Sequence, residues 1–214
     1  MSDWLQSLLS AAQLMSPWEF AAVVFAILYL LLAVRENVLC WFFAFISTAI
    51  FTVLFWDVSL LMESALNVYY MAMAVYGWHQ WRRGGGDHQG IRIHTLGMRG
   101  HGLVIATILA LTAVSGFLLS RYSTAAWPYV DSFTTWASVI ATYMVARKIL
   151  ENWLYWIVID LVSIPLYLSR GLELTALLFV AYVMIAIVGF FRWQKHYHLQ
   201  AVQVASEHAN ESCA

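Results

Sequence analysis

Seven apolar runs lie between Phe20 and Trp193, and several approach the ~20 residues that a bilayer-spanning helix needs. The chain has 214 residues, of which 62% are hydrophobic and only 11% charged. A soluble domain carries about 25% charged residues, and no water-soluble packing hides so much apolar surface at this size. Only helices and closed barrels satisfy their backbone groups inside hydrocarbon. A barrel requires short alternating segments, and none occur here. The expected fold is therefore an all-α polytopic membrane protein with seven transmembrane helices. The spans read as Phe20–Val34, Leu39–Phe55, Ser59–Trp81, Gly102–Leu119, Phe133–Ala146, Trp153–Leu168 and Leu172–Trp193.

The run is also duplicated. Arg35–Trp81 and Lys148–Trp193 share one design. Each opens on Glu-Asn (Glu36-Asn37, Glu151-Asn152), and Trp41 and Trp156 each follow the Asn by four residues. Each closes on a Gly-plus-aromatic stretch ending in Trp81 or Trp193. The offset between copies is 115 residues at the start and 112 at the end. Duplicated helical units in an apolar chain are a transporter design, with the substrate held between the halves. Three spans, one connector and three spans make a 3+1+3 layout. The odd connector lets both three-helix units enter the membrane in the same direction, as parallel repeats.

The organisation follows. Residues 1–16 read as an interfacial amphipathic segment, with Trp4, Leu5, Leu8, Leu9 and Ala12 on one face. Residues 17–83 form the first three-helix bundle, 84–130 a loop and connecting helix, and 131–195 the second bundle; 196–214 are a polar, mobile tail. The glycines of Gly84–Gly90 form a linker, because no strand–turn–helix context makes them a phosphate cradle. Nine Lys or Arg residues gather at one set of span ends and only Arg121 and Arg170 at the other. This places the N-terminus outside and the C-terminus in the cytoplasm. Trp18, Trp56, Trp81, Trp127, Trp193 and Tyr197 sit at span ends and read as an aromatic belt.

Composition and placement exclude several chemistries. A net charge of −1 argues against a nucleic-acid partner. All seven histidines fall at span ends, in loops or in the tail, so no pair ligates a haem in the membrane. His196 and His198 read as solvated tail residues rather than metal ligands. Lys148 and Lys195, the only lysines, lie at span ends, away from any buried Schiff base. No nucleophile–base constellation emerges, so the chain is expected to be no enzyme and to hold no metal or cofactor. The Glu-Asn pairs are expected to cap helices.

What remains is Trp153-x-x-Trp156-x-x-x-Asp160 in the sixth span, three residues on one helix face. A carboxylate half-way along an apolar helix costs roughly 2.5–3.5 kcal/mol, so Asp160 should face the bundle interior and meet a partner. No Lys or Arg lies at its depth. Two indoles one turn away suit a flat cationic ring by stacking and cation–π attraction. Packing is the competing reading for each Trp alone. In the third span Glu63, Asn67 and Tyr70 share a face. Glu63 either caps the helix or attracts cations. Tyr70 aligns with Tyr182 in the second copy, which points to a shared packing role. Ser47 and Thr48 align near Ser163 and are secondary candidates, since small polar residues commonly join helices. Pro165 is expected to kink the sixth helix past Asp160.

Glu151-Asn152-Trp153-Leu154-Tyr155-Trp156 with Asp160, then Gly171-Leu172 and Gly189…Arg192-Trp193, resemble the signature of the nicotinamide riboside transporter family. Tyr76-Gly77-Trp78…Trp81 matches it in the first copy. The resemblance implies a SWEET-like vitamin facilitator in the inner (plasma) membrane, with a cytoplasmic kinase trapping the product. It also implies that Trp153, Trp156, Asp160 and Asn67 line the site. Many riboside-specific members carry Asn and Gln where this chain has Asp160 and Asn67. An ionised Asp only accepts hydrogen bonds, which favours a substrate offering donors or positive charge. Nicotinamide riboside is expected first and thiamine close behind. A homo-oligomer is an open alternative.

Overall fold

The computed structural model describes residues 16–57, 61–83, 90–123, 127–169 and 171–212, with backbone only at 61, 62, 174 and 204–212. The N-terminal amphipathic segment, the run Gly84–Gln89 and Cys213 lie outside the described residues. The fold is all-helical: α1 Pro17–Val34, α2 Cys40–Asp57, α3 Leu61–Arg82, α4 Met98–Tyr122, α5 Pro128–Ala146, α6 Asn152–Ser169 and α7 Glu173–Ser212. Local chemistry sets their ends. Ser16 accepts from the Glu19 N–H at 3.1 Å and Pro17 opens the first turn of α1. Gly171, at φ 72°, ends α6, with the Leu172 N–H returning to the Tyr167 carbonyl at 3.0 Å.

Five helices (α1, α2, α4, α6 and α7) are long and apolar enough to cross a bilayer. The other two, α3 and α5, carry more polar residues, among them Ser64, Asn67, Ser138 and Thr142. Their position accounts for this composition. Helix α1 packs on α2, α2 on α3, α3 on α5, α5 on α6, α6 on α7, and α7 back on α1. The six close a ring, and α4 packs outside it against α5. Polar side chains on α3 and α5 can therefore face other protein rather than lipid.

Contacts repeat at an offset of 112 residues throughout, not 115. Glu36 and Lys148 occupy equivalent turns with φ 54° and 51°. The Glu36 N–H donates to Ala33 and the Lys148 N–H to Val145, each at 2.9 Å. The partner of Trp41 is thus Trp153 rather than Trp156, and Thr48 pairs in register with Asp160 rather than with Ser163. The shared Glu-Asn dipeptide misled the sequence register, because its two copies sit at different points of the turn.

Large indoles seated on glycines hold this end of the ring. Trp41 covers Gly77, and Trp153 covers Gly189. Trp41 meets Trp81 edge-on at 5.4 Å, and Trp153 meets Trp193 in the same way at 5.4 Å. Trp81 and Trp193 then touch each other at 5.9 Å. Each also donates its indole N–H to the neighbouring helix of the other three-helix stretch. Trp193 bonds the Ala33 carbonyl at 3.1 Å, and Trp81 the Val145 carbonyl at 3.3 Å. Trp81 and Trp193 are 5% and 0% exposed, so they are core residues and not belt anchors. Trp18, Trp56 and Trp127 are exposed, as a belt requires.

The expected mobile tail is also different. Helix α7 runs on to Ser212. His196 reaches Glu36, and the Gln200 side chain accepts from the Ile93 N–H at 3.2 Å. The segment before α4 is strapped to the α5–α6 turn, where the His94 N–H donates to Lys148 and the Leu150 N–H to His94. The capping reading of the Glu-Asn pairs gives way in part. Asn37 does accept from the Leu39 N–H at 2.9 Å, but Glu36 pairs with Lys148 and Glu151 accepts from the Leu96 N–H at 3.1 Å.

A Cβ on Gly189 would lie 2.8 Å from the Trp153 ring, and Gly77 is as tightly covered by Trp41. Gly189→Ala is expected to destabilise the protein by about 1–3 kcal/mol through overpacking. Gly102→Ala, with nothing within 4 Å, should be near neutral or better. Thermal melting in detergent compares the two.

Candidate functional site

Inside the ring a band built on four phenols brings five helices together. The Tyr70 hydroxyl of α3 lies close to the Ser138 side chain of α5. Tyr70 is also in electrostatic reach of Tyr29 on α1 and of Tyr167 on α6. Tyr167 stacks on Phe179 at 5.0 Å, and Phe179 meets Tyr182 at 5.7 Å on α7. Tyr182 in turn lies near Asp160 on α6. Side chains that reach neighbours on several ring helices at once lie within the ring, so this band marks its interior.

Asp160 is 3% exposed and makes no hydrogen bond or ion pair among the described residues. A buried polar group without a partner is costly, and such groups are rare in native structures. The Asp160 oxygens are not fully enclosed, so a water, a hydrogen-bond donor or a cation can meet them.

The other candidates distribute as follows. Trp156 is half-buried one turn from Asp160, between the two apolar clusters of the protein. Trp153 is 1% exposed, flanked by Gly189 and Trp193, which gives its ring a packing role in this state. Asn67 is half-buried one turn before Tyr70 and donates to the Glu63 carbonyl at 2.9 Å. The side chain of Glu63 is exposed in the first turn of α3. Ser47 is buried, but its hydroxyl donates to the Ala22 carbonyl at 2.8 Å and joins α2 to α1. The structure thus groups Tyr70 with Asp160 through the phenol band, keeps Trp156 and Asn67 at its edges, and sets Glu63, Ser47 and Trp153 apart from it.

Sequence reasoning missed Tyr29, Ser138 and Tyr167. Single hydroxyls in apolar helices give no periodic signal, and only the ring closure makes them neighbours. Tyr182 was legible through its equivalence with Tyr70, but as a packing residue. A cavity of about 300 Å³ between α4, α5 and α6 is lined by Ile105, Ile108, Phe133, Leu154 and Ile159. It is apolar and separate from the phenol band.

The profile of the nicotinamide mononucleotide transporter family matches residues 16–195. The chain belongs to this family of membrane transporters. It is 22% identical over 200 residues to the nicotinamide riboside transporter PnuC of Escherichia coli, covering 82% of this chain and 84% of that protein. It is 30% identical over 128 residues to the riboflavin/roseoflavin transporter RibM of Streptomyces davaonensis, covering 58% of this chain and 59% of RibM. The match thus spans less than two thirds of RibM. The crystal structure of the vitamin B3 transporter PnuC superimposes with a TM-score of 0.71 and 22% identity, covering 91% and 90% of the two chains. That likeness establishes a common fold.

An unpartnered buried carboxylate has a thermodynamic signature. Asp160→Asn is expected to raise the melting temperature of the ligand-free protein in alkaline buffer, by on the order of 1–3 kcal/mol in stability, where the acid must otherwise ionise and a neutral amide is cheaper to desolvate. Differential scanning fluorimetry without ligand checks this.

Proposed function

We propose that this chain is a facilitator for a flat, cationic B-vitamin, with nicotinamide riboside as the first substrate. The observation that carries this reading is Asp160, a buried carboxylate without a partner beside a band of phenols. A pyridinium supplies the missing positive charge and its carboxamide supplies N–H donors. Trp156 offers a ring face one turn away, and Tyr70 and Asn67 offer polar contacts from α3. Trp153 backs this wall from the core.

The mechanism we infer is rocking of two parallel three-helix bundles, α1–α3 and α5–α7, in a 3+1+3, SWEET-like arrangement with α4 as connector. The closed six-helix ring and the repeated contacts support it. In this reading the N-terminus is outside, the C-terminus is in the cytoplasm of a cell with an inner membrane, and a cytoplasmic kinase removes the product. No relay of buried carboxylates or histidines accompanies Asp160 among the described residues, so transport runs downhill.

A second reading, a flavin substrate, is favoured by the 30% identity to RibM over part of the chain. Charge separates the two. Calorimetry with nicotinamide riboside, thiamine and riboflavin gives the ranking, thiamine being the other cation. Asp160→Asn should weaken a cationic ligand at least tenfold, about 1.4 kcal/mol, and leave a neutral flavin within a few fold. Trp156→Ala should weaken binding by roughly 0.5–2 kcal/mol. Unchanged affinity for every vitamin in both variants refutes the site. In proteoliposomes uptake should proceed without an ion gradient; strict dependence on protons or sodium refutes the facilitator.

A further inference from the structure

The ring is sealed at the end that carries Arg35, Arg82 and Arg147, and the seal has a charged component that the binding site does not use. Glu36, in the α1–α2 turn, receives the Lys148 ammonium from the α5–α6 turn at 3.0 Å. Its other carboxylate oxygen meets Nδ1 of His196 on the extension of α7. Both contacts join the first three-helix stretch to the second. Lys148 is 4% exposed and also lies 4.9 Å from the Trp81 ring. Beneath it are the contacts of Trp81 with Val145 and of Trp193 with Ala33, which run between the same two stretches. The strap ahead of α4 grips the Lys148 turn on both sides, through His94, so Lys148 is fixed to α5 and α6.

We propose that Glu36, Lys148 and His196 form a latch that holds this end of the transporter closed. Opening toward this side separates the first stretch from the second, which withdraws Trp81 from Val145 and Trp193 from Ala33 and breaks the Glu36–Lys148 pair. Breaking a buried pair leaves two desolvated charges unless water enters with the motion, so the pair resists partial opening and permits a full one. This inference rests on the transport reading only for its purpose, since the closure itself is testable without substrate.

Cys40 is a native reporter. It is a free thiol, fully buried in the same apolar cluster as Trp41, Trp81, Trp153 and Trp193. With Cys213→Ser as background, its labelling by a water-soluble maleimide in proteoliposomes measures how often this end opens. Labelling should be slow in the parent and at least tenfold faster in Glu36→Gln. The exchanged pair Glu36→Lys/Lys148→Glu should label several-fold more slowly than Glu36→Gln without regaining the parent's rate, since attraction between the two turns is restored while His196 loses its carboxylate partner. Equal labelling in parent and Glu36→Gln, or an exchanged pair as fast as the single variant, overturns the latch. Should Glu36→Gln lose its melting transition, the exchanged pair is compared with Lys148→Met, and failure to label more slowly than Lys148→Met overturns it equally. A vitamin that does not bind leaves these rates untouched, so failure of the substrate assignment and failure of the latch are told apart.

Discussion

Two helices that meet inside hydrocarbon gain nothing from leaving water, so their cohesion must come from close contact and from hydrogen bonds. In this chain both are concentrated at one end of the ring. Gly77 and Gly189 let the flat faces of Trp41 and Trp153 come down on helix backbone. The edges of those indoles then position Trp81 and Trp193. These two reach the Ala33 and Val145 carbonyls at the ends of α1 and α5, which also accept the Glu36 and Lys148 turn N–H groups. If the glycines were larger, the first indole of each set would be displaced, and the second would lose its line to the neighbouring helix. The ring, its interior and the polar band within it all depend on that seating.

The consequence for polarity is direct. A six-helix ring that meets lipid on its outer side bears polar groups inward and between its helices, and the two helices least able to cross a bilayer by composition, α3 and α5, are neighbours packed against each other in the ring. The Tyr69 hydroxyl of α3, donating to the Val139 carbonyl of α5 at 2.8 Å, ties them together. Asp160 enters the same interior from α6 with nothing to complete it. In the proposed site the ligand supplies the donor or charge that Asp160 does not find in the protein.

The helices were legible because their signals are local. Apolar length, the Ser16-Pro17 start and the Gly171 stop act within a few residues, and the spans read from them fall on the observed helices. The repeat was legible at its end, where Gly and Trp recur at a spacing of 112 residues, and misread at its start, where Glu-Asn recurs at 115. A dipeptide can recur for different reasons; a glycine beneath an indole recurs only if the contact does. The same distinction explains the site. Asp160 stands out in any apolar helix, and its burial follows from its cost. Trp153 and Trp156 look alike on a helical wheel, and only the position of Gly189 shows that the first is enclosed. Tyr29, Ser138 and Tyr167 carry no signal until ring closure makes them neighbours. The extension of α7 was misread because its polar composition matches both a solvated tail and a helix that leaves the membrane to lie against loops.

Duplication also creates a problem that the chain solves at two positions. Where equivalent turns face each other, identical residues meet identical residues. Glu36 and Lys148 are equivalent by backbone angle and by hydrogen-bond pattern, and they touch. Two glutamates there would repel in a dry interface, and two lysines would repel likewise. Only divergence to opposite charge converts the meeting of the two stretches into an attraction. The pair in register at mid-membrane, Thr48 and Asp160, follows the same logic. Thr48 spends its hydroxyl on the Ala44 carbonyl of its own helix at 2.8 Å and adds no charge. Two acids at matching depth would double the desolvation cost and hold each other apart. One acid leaves a single negative centre, off the symmetric position, so the interior has a direction that a symmetric ring would lack. A flat ligand with its charge on one side can then bind in one orientation rather than two.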